Sequence, residues 1–151
     1  MTDTIADETM HVSVREARLF TNRLLMLTGL DLGLVSGVRE FILNAELVGA
    51  GGFQFVHDHV LGLADIPRPH LNVERRGDVT SIDGAGQFAA FLGPLLLDLV
   101  TLEALRSGSA AFDVANVRYP ALLSAIAPMA NRRGLMTTVI VPESGALEAT
   151  V

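Results

Sequence analysis

The stretch Leu71-Asn72-Val73-Glu74-Arg75-Arg76-Gly77-Asp78-Val79-Thr80-Ser81-Ile82 decides the fold class, because the chain changes there from helical to mixed character. Apolar and polar residues alternate on both sides of Arg75 to Asp78, which is typical of two β-strands joined by a tight turn. The stretch therefore predicts a β-hairpin. Since helical patterns lie before and after it, the chain is expected to have an α/β (α+β) fold.

Helices are predicted upstream of this stretch. Ser13 and Glu16 have the spacing of a capping box, so a helix is expected from about Val14. Asp31 is placed to cap a second helix, and the two are expected to form an antiparallel helical hairpin. A shorter third helix is predicted from Gln54 to Leu63.

Downstream, strand and helix patterns alternate. Asp83-Gly84-Ala85-Gly86 predicts a turn, after which an apolar helix runs from about Gln87 to Arg106. Ser109 to Val117 and Leu135 to Val141 are predicted strands, and Ala121 to Asn131 is a predicted helix between them. Together with the hairpin these segments predict a β-α-β-α-β unit with parallel pairing through right-handed crossovers.

The whole chain, 1–151, is expected to form a single domain, because its length suits one hydrophobic core. Within it we distinguish a helical N-terminal part, 11–65, an α/β part, 70–142, and a loose tail, 143–151. The boundary between the first two falls at Ile66 to His70, where prolines interrupt the helical pattern.

Composition excludes several kinds of chemistry. The chain has no cysteine, and all 11 of its basic residues are arginines. A thiol nucleophile, a disulfide framework, a Schiff-base lysine and the lysine of a phosphate-binding loop are therefore excluded. The net charge of −6 argues against nucleic acid or a membrane surface as a partner. With no signal-peptide pattern and no apolar run long enough to span a bilayer, a cytoplasmic location is expected.

Three polar groups are candidate sites. His57-Asp58-His59 is the densest, but on a helix residues two apart face different directions, so a metal site is not expected and an exposed turn of helix is the simpler interpretation. Asn116, Arg118 and Tyr119 follow a predicted strand at the end where parallel sheets bind ligands. We therefore expect Asn116 and Arg118 to bind substrate, with Arg118 facing a small carboxylate, and His57 or His59 to approach from the helices.

The third group is Asp83-Gly84-Ala85-Gly86. Asp83, Gly84 and Gly86 lie between a strand and a helix, where they could admit the phosphates of a cofactor to the helix N-terminus. A tight strand-to-helix turn explains the glycines equally well.

Several segments in collinear order resemble the N-terminal portion of the type 2 malate/L-lactate dehydrogenases. The similarity covers about Val12 to Val141, and the segments are V-S-V-R-E-A-R-L-F, G-L-D-L-G, A-E-L-V-G, R-R-G-D-V-T-S-I-D-G, F-D-V-A-N-V-R-Y-P and A-P-M-A-N-R-R-G-L-M-T-T-V-I. The resemblance implies a fold distinct from the Rossmann dehydrogenases, an obligate dimer, and NAD- or NADP-dependent interconversion of small 2-oxo and 2-hydroxy, or imino and amino, acids.

The sequence departs from that family at the residues of catalysis. Phe53 stands where the resemblance implies a catalytic histidine, and Tyr119 stands where it implies a second histidine. Only a shift to His57 or His59 would restore an acid at the first position. His57, His59 and Tyr119 are therefore the catalytic candidates.

Three hypotheses follow. The chain is a catalytically depleted relative that acts as a binding or accessory subunit, or an active NAD(P)H-dependent oxidoreductase, alone or as part of a split enzyme, or an enzyme of another acid–base reaction that uses His57, Asp58 and Tyr119. A homodimer or hetero-complex is expected, because apolar residues cover more of the long helix than one buried stripe requires. They are Phe88, Phe91, Leu92, Leu95, Leu96, Leu97, Leu99, Val100 and Leu102.

Overall fold

The computed structural model describes residues 11–65 and 71–142, so the predicted boundary at Ile66 to His70 and the predicted tail, 143–151, lie outside the described residues. Helices and a three-stranded mixed sheet confirm the mixed α and β class. In chain order the elements are α1 (Val14–Leu27), α2 (Leu32–Leu47), α3 (Gly52–His59), a 3-10 helix (Val60–Asp65), β1 (Asn72–Arg76), β2 (Val79–Phe88), α4 (Ala89–Ser107), β3 (Ala111–Arg118), a second 3-10 helix (Pro120–Ala125) and α5 (Ile126–Asn131).

The first two helices begin at the caps that the sequence indicates. The Ser13 hydroxyl accepts a hydrogen bond from the Glu16 backbone N–H at 3.2 Å, and the Glu16 carboxylate accepts one from the Ser13 backbone N–H at 3.0 Å. These bonds satisfy donors that a helix start leaves without partners, and the Ser13 bonds lower the pKa of Glu16. At α2 the Asp31 carboxylate accepts from the Gly33 N–H at 2.9 Å.

Polar contacts join α1 to α2. Arg18 on α1 forms a two-point ion pair with Glu40 on α2, with distances of 3.0 and 3.1 Å. Further along α1, Asn22 accepts a bond from Arg39 at 2.8 Å. Because only residues 28–31 connect these two packed helices, they form an antiparallel helical hairpin.

The sheet has the strand order β1-β2-β3. β1 and β2 pair antiparallel across Gly77 and Asp78, as the alternating stretch predicts. β2 and β3 pair in parallel, with α4 as the connection between them. The carboxyl ends of β2 and β3 therefore lie at the same edge of the sheet.

The turn predicted at Asp83-Gly84-Ala85-Gly86 is wrong, because these residues lie inside β2 and form a bulge. Between Asp83 and Gln87 the strand β2 advances four residues, whereas β3 advances two from Ala115 to Val117. The local backbone resembles a turn, with Ala85 and Gly86 at positive φ, but pairing resumes at Gln87. The following helix accordingly begins at Ala89, two residues later than expected.

The strand predicted at Leu135 to Val141 is also corrected: no sheet of the described residues includes it. The predicted β-α-β-α-β unit therefore lacks its last strand. The predicted helix over Ala121 to Asn131 is divided into the second 3-10 helix and α5, and the one over Gln54 to Leu63 into α3 and the first 3-10 helix.

The core lies between the helices and one face of the sheet. The ring of Phe41 on α2 lies where a side chain at Gly93 of α4 would have to be, so only glycine allows this close helix contact. Leu92, Leu96 and Leu97 of α4 are buried against α2 and its neighbours, while the outward side of the same helix leaves other leucines in solvent. The exposed ones include Leu95, Leu102 and Leu105.

No helix of the described part of the chain is long and apolar enough to cross a membrane.

Candidate functional site

Residues with strained backbone conformations lie at the carboxyl end of β3 and in the bulge of β2. In the described ranges the non-glycine residues with positive φ are Ala85 at 50°, Asn116 at 53° and Tyr119 at 56°. Such conformations are uncommon for residues with a side chain and cluster at functional sites. This edge of the sheet is where the sequence places Asn116, Arg118 and Tyr119.

Asp83 and Asn116 hold the bulge together. The Asp83 Oδ1 atom accepts hydrogen bonds from the Ala85 N–H at 2.8 Å and from the Asn116 Nδ2 at 3.0 Å. These bonds link the bulge to the neighbouring strand, so the carboxylate of Asp83 and the amide of Asn116 have structural partners.

The glycines of the bulge have steric roles as well. A Cβ atom at Gly84 would lie 2.6 Å from Val117 Cγ2 and 2.9 Å from the Asn116 carbonyl oxygen. Gly86 has a φ of 71°. The first turn of α4 is closed to solvent, with Ala89 fully buried. The bonds of Asp83, the close packing at Gly84 and the positive φ of Gly86 explain these three residue types without a bound phosphate. Cofactor binding by Asp83, Gly84 and Gly86 stays a prediction.

Four rings from three separate segments form an aromatic cluster. Phe55 and His59 come from α3, Phe88 from the end of β2, and Tyr119 from the residue after β3. The His59 centroid lies 4.7 Å from that of Phe88 and 5.0 Å from that of Tyr119, and the Phe55 centroid lies 5.3 Å from that of Phe88. The cluster fixes α3 against the carboxyl edge of the sheet.

Tyr119 also contacts the acidic residue between the two histidines. Its hydroxyl donates to Asp58 Oδ2 at 3.4 Å. Asp58 Oδ1 lies 3.0 Å from His57 Nδ1 and accepts from Gln54 Nε2 at 2.8 Å, and the bonds from His57 and Gln54 lower the pKa of the Asp58 carboxyl. Desolvation, and then the charge of Asp58, raise the pKa of Tyr119.

Arg118 lies against the outer side of the cluster. Its guanidinium carbon is 3.8 Å from the centroid of the Phe88 ring, and its Nε donates to the Gly86 carbonyl oxygen at 2.6 Å. No ion pair joins it to a carboxylate of residues 11–65 or 71–142. The side chain is thus held in place while its charge has no acidic partner there.

The candidate residues of α3 lie on two different faces of the helix. Phe55 and His59, four positions apart, face the cluster, while Phe53 and His57 share the outer face. His57 is 82% exposed, whereas the Nε2 atom of His59 is buried without a hydrogen-bond partner. The two imidazoles therefore lie on different faces of α3, and of the pair only His59 reaches Tyr119.

A surface groove of about 520 Å³ adjoins the cluster. Tyr119 is the one residue of the cluster that lines it, together with a mostly apolar wall from the end of α2, the second 3-10 helix and the last described residues. The other lining residues are Val48, Gly49, Ala50, Pro120, Ala121, Ser124, Val141 and Pro142.

Sequence reasoning brings together Asn116, Arg118, Tyr119 and His59, but it misses the role of Phe88. Phe88 contacts His59, Tyr119 and Arg118, and so connects the group. The available signal is an aromatic residue at the junction of strand and helix, which the apolar pattern of the sequence assigns to the helix face. The described residues contain no group of three or more histidine and acidic side chains that could hold a metal ion.

Comparison of the chain with known protein families finds no matching family, and no curated protein matches it.

Proposed function

We propose that this chain is a short, catalytically depleted relative of the type 2 malate/L-lactate dehydrogenases that binds a small carboxylate and acts as a binding or accessory subunit. The observation that carries the proposal is the guanidinium of Arg118, which has no carboxylate partner among the described residues and is held beside Tyr119 by the Phe88 ring. A carboxylate is the natural partner of a fixed guanidinium, since two parallel N–H donors match its two oxygens.

The position of Phe53 supports the proposal that the chain lacks a catalytic acid. The resemblance implies an acid at this position, but the phenyl ring has no ionisable proton and lies on the outer face of α3, away from Tyr119. His59 is the ionisable ring nearest Tyr119, yet its Nε2 atom is closed to solvent. A ligand at Arg118 would therefore meet the aromatic cluster without an accessible histidine.

The wider expectations are part of the same proposal. A fold like that of the N-terminal portion of the family, a cytoplasmic location and a homodimer or hetero-complex go with it. The exposed leucines of α4, Leu95, Leu102 and Leu105, support a partner surface.

Ligand-dependent stabilisation tests the carboxylate site. Thermal unfolding is measured with and without L-malate, L-lactate, pyruvate and oxaloacetate, for the unmodified chain, Arg118→Ala and Arg23→Ala. A ligand present at 100 times its Kd adds about 2.7 kcal/mol to the free energy of unfolding. The proposal expects this increment in the unmodified chain and in Arg23→Ala, an exposed arginine of α1, and its loss in Arg118→Ala. Equal increments in all three proteins would contradict it.

The second candidate function is an active NAD(P)H-dependent oxidoreductase of small 2-oxo or imino acids, alone or as part of a split enzyme. The contact between His59 and Tyr119 favours it, because two ionisable groups then lie at one edge of the sheet. NADH or NADPH would stabilise the chain in the same unfolding experiment, and His59→Ala would abolish turnover while His57→Ala would not.

A further inference from the structure

Residues 135–142 form a segment with the side-chain pattern of a strand but without a sheet. Exposure alternates along it: Leu135, Thr137, Val139 and Val141 are half-buried, and the residues between them are exposed. Met136 is 100% exposed and Ile140 is 86% exposed. A two-residue period of this kind is that of a β-strand with one side on the core.

The main chain of the segment has no partner in the described part of the molecule. Outside helices and strands, the backbone hydrogen bond that reaches it is donated by Leu135 to the Ala130 carbonyl oxygen at 3.1 Å, and none of the others involves 136–142. A strand in this state presents a row of free N–H and C=O groups.

The sequence of the segment lacks the features by which proteins protect such a row. No charged residue occurs from Leu135 to Val141, and no proline occurs before Pro142. Exposed edge strands usually carry charges, prolines or bulges that prevent pairing with another chain. The segment therefore has none of the features that keep such a row from pairing with another strand.

We propose that 135–141 pairs antiparallel with the same segment of a second copy of this chain, with Thr138 opposite Thr138 of the second copy. This register places Gly134 opposite Pro142, so that both strands begin and end at the same points. Met136 then lies opposite Ile140, and each Thr137 lies opposite a Val139. The segment is thus complementary to itself in shape and has no like charges to oppose.

The inference goes beyond the proposed ligand and does not depend on it. It names a surface for the expected dimer, and that surface is separate from the exposed leucines of α4. The segment also ends at the groove beside Tyr119, which Val141 and Pro142 line. Pairing would therefore fix one wall of that groove.

Engineered disulfides test the register, because the natural chain contains no cysteine. Residues directly opposite in an antiparallel pair have Cα atoms about 4.5–5.5 Å apart, within the range of a disulfide. Thr138→Cys should give a covalent dimer on mild oxidation. Met136→Cys alone should not, since the two copies of position 136 lie roughly 13 Å apart along the strands. The double variant Met136→Cys/Ile140→Cys should cross-link.

Charge complementation tests the pairing without oxidation. Thr138 is exposed, so Thr138→Asp and Thr138→Lys should fold, as circular dichroism verifies. Each variant places like charges opposite each other and should weaken dimerisation by up to about fivefold, and a 1:1 mixture should restore it. Sedimentation measures the extent of dimerisation of each variant and of their mixture. A monomeric natural chain at all concentrations, a dimer that neither substitution weakens, or cross-linking of Met136→Cys but not of Thr138→Cys would overturn the proposal.

Discussion

The hydroxyl of Tyr119 donates to Oδ2 of Asp58 at 3.4 Å, although the two residues are 61 positions apart in the chain. The contact joins the end of β3 to α3, and Asp58 is itself oriented by Gln54 and His57. Desolvation, and then the charge of Asp58 and the bond to it, raise the pKa of Tyr119, which is the only tyrosine of the chain. Its titration can therefore be followed without interference.

We predict that the phenol of Tyr119 titrates above its ordinary pKa of 10.0. The folded protein retains this proton where the unfolded chain has lost it. The stability that this group contributes is therefore full below about pH 10 and is lost as pH rises through the folded pKa. Absorbance at the phenolate band measures the titration directly.

A matched pair of variants identifies the cause. Asp58→Asn removes the negative charge and should lower the pKa of Tyr119, although desolvation keeps it above the ordinary value. Asp98 lies on α4 and pairs with Arg133. Asp98→Asn should therefore leave the pKa of Tyr119 unchanged. Equal shifts in both variants would show that net charge, and not the contact, controls the titration.

We predict that Arg118→Ala lowers the free energy of unfolding by about 1 kcal/mol in the absence of any ligand, because it removes an exposed cation–π contact and the bond to Gly86. For a domain of this size the melting temperature should fall by about 2–4 °C. Differential scanning calorimetry measures the melting temperature. Arg23→Ala should change the free energy of unfolding by less than about 0.5 kcal/mol.

We predict that Gly84→Ala destabilises the protein by about 2 kcal/mol or more, because the new Cβ would overlap Val117, Asn116 and Leu92. Gly62→Ala is the control, since nothing lies within 4 Å of a Cβ at that position. Urea unfolding compares the two. If both variants were equally stable, the packing at the bulge would be looser than these distances require.

We predict that the isolated chain does not oxidise NADH or NADPH measurably with pyruvate, oxaloacetate or cyclic imino acids. Phe53→His should not create activity, because position 53 lies on the face of α3 opposite to His59 and Tyr119. Absorbance of the reduced nicotinamide follows turnover. Robust turnover by the unmodified chain that disappears in His59→Ala would support the oxidoreductase instead.

The capping residues in the sequence correctly predicted where the first two helices begin. The caps at Ser13 and Asp31 act through bonds within a few residues, so their spacing in the sequence is sufficient to place α1 and α2. The bulge could not be predicted in the same way. Its glycines are typical of a turn, and only the pairing of Gln87 with Val117 shows that β2 continues.

The candidate site was predicted in part, for the same physical reason. The rule that parallel strands present their carboxyl ends together placed Arg118 and Tyr119 at the edge of the sheet where β2 ends, and Tyr119 contacts α3 there. The choice between His57 and His59 depended on which face of α3 meets the sheet. That is a property of packing across more than 50 residues, which the helical period alone does not determine.

The bulge of β2 contains an even number of extra residues relative to β3, namely two. Before the bulge the inward positions are Ile82 and its partner Val114, and beyond it they are Gln87 and its partner Val117. An odd number of positions separates the inward residues on each strand, five on β2 and three on β3. Because side chains alternate between the faces of a regular strand, the bulge exchanges the two faces of both strands, which brings Phe88 and its partner Arg118 to the side opposite Val117.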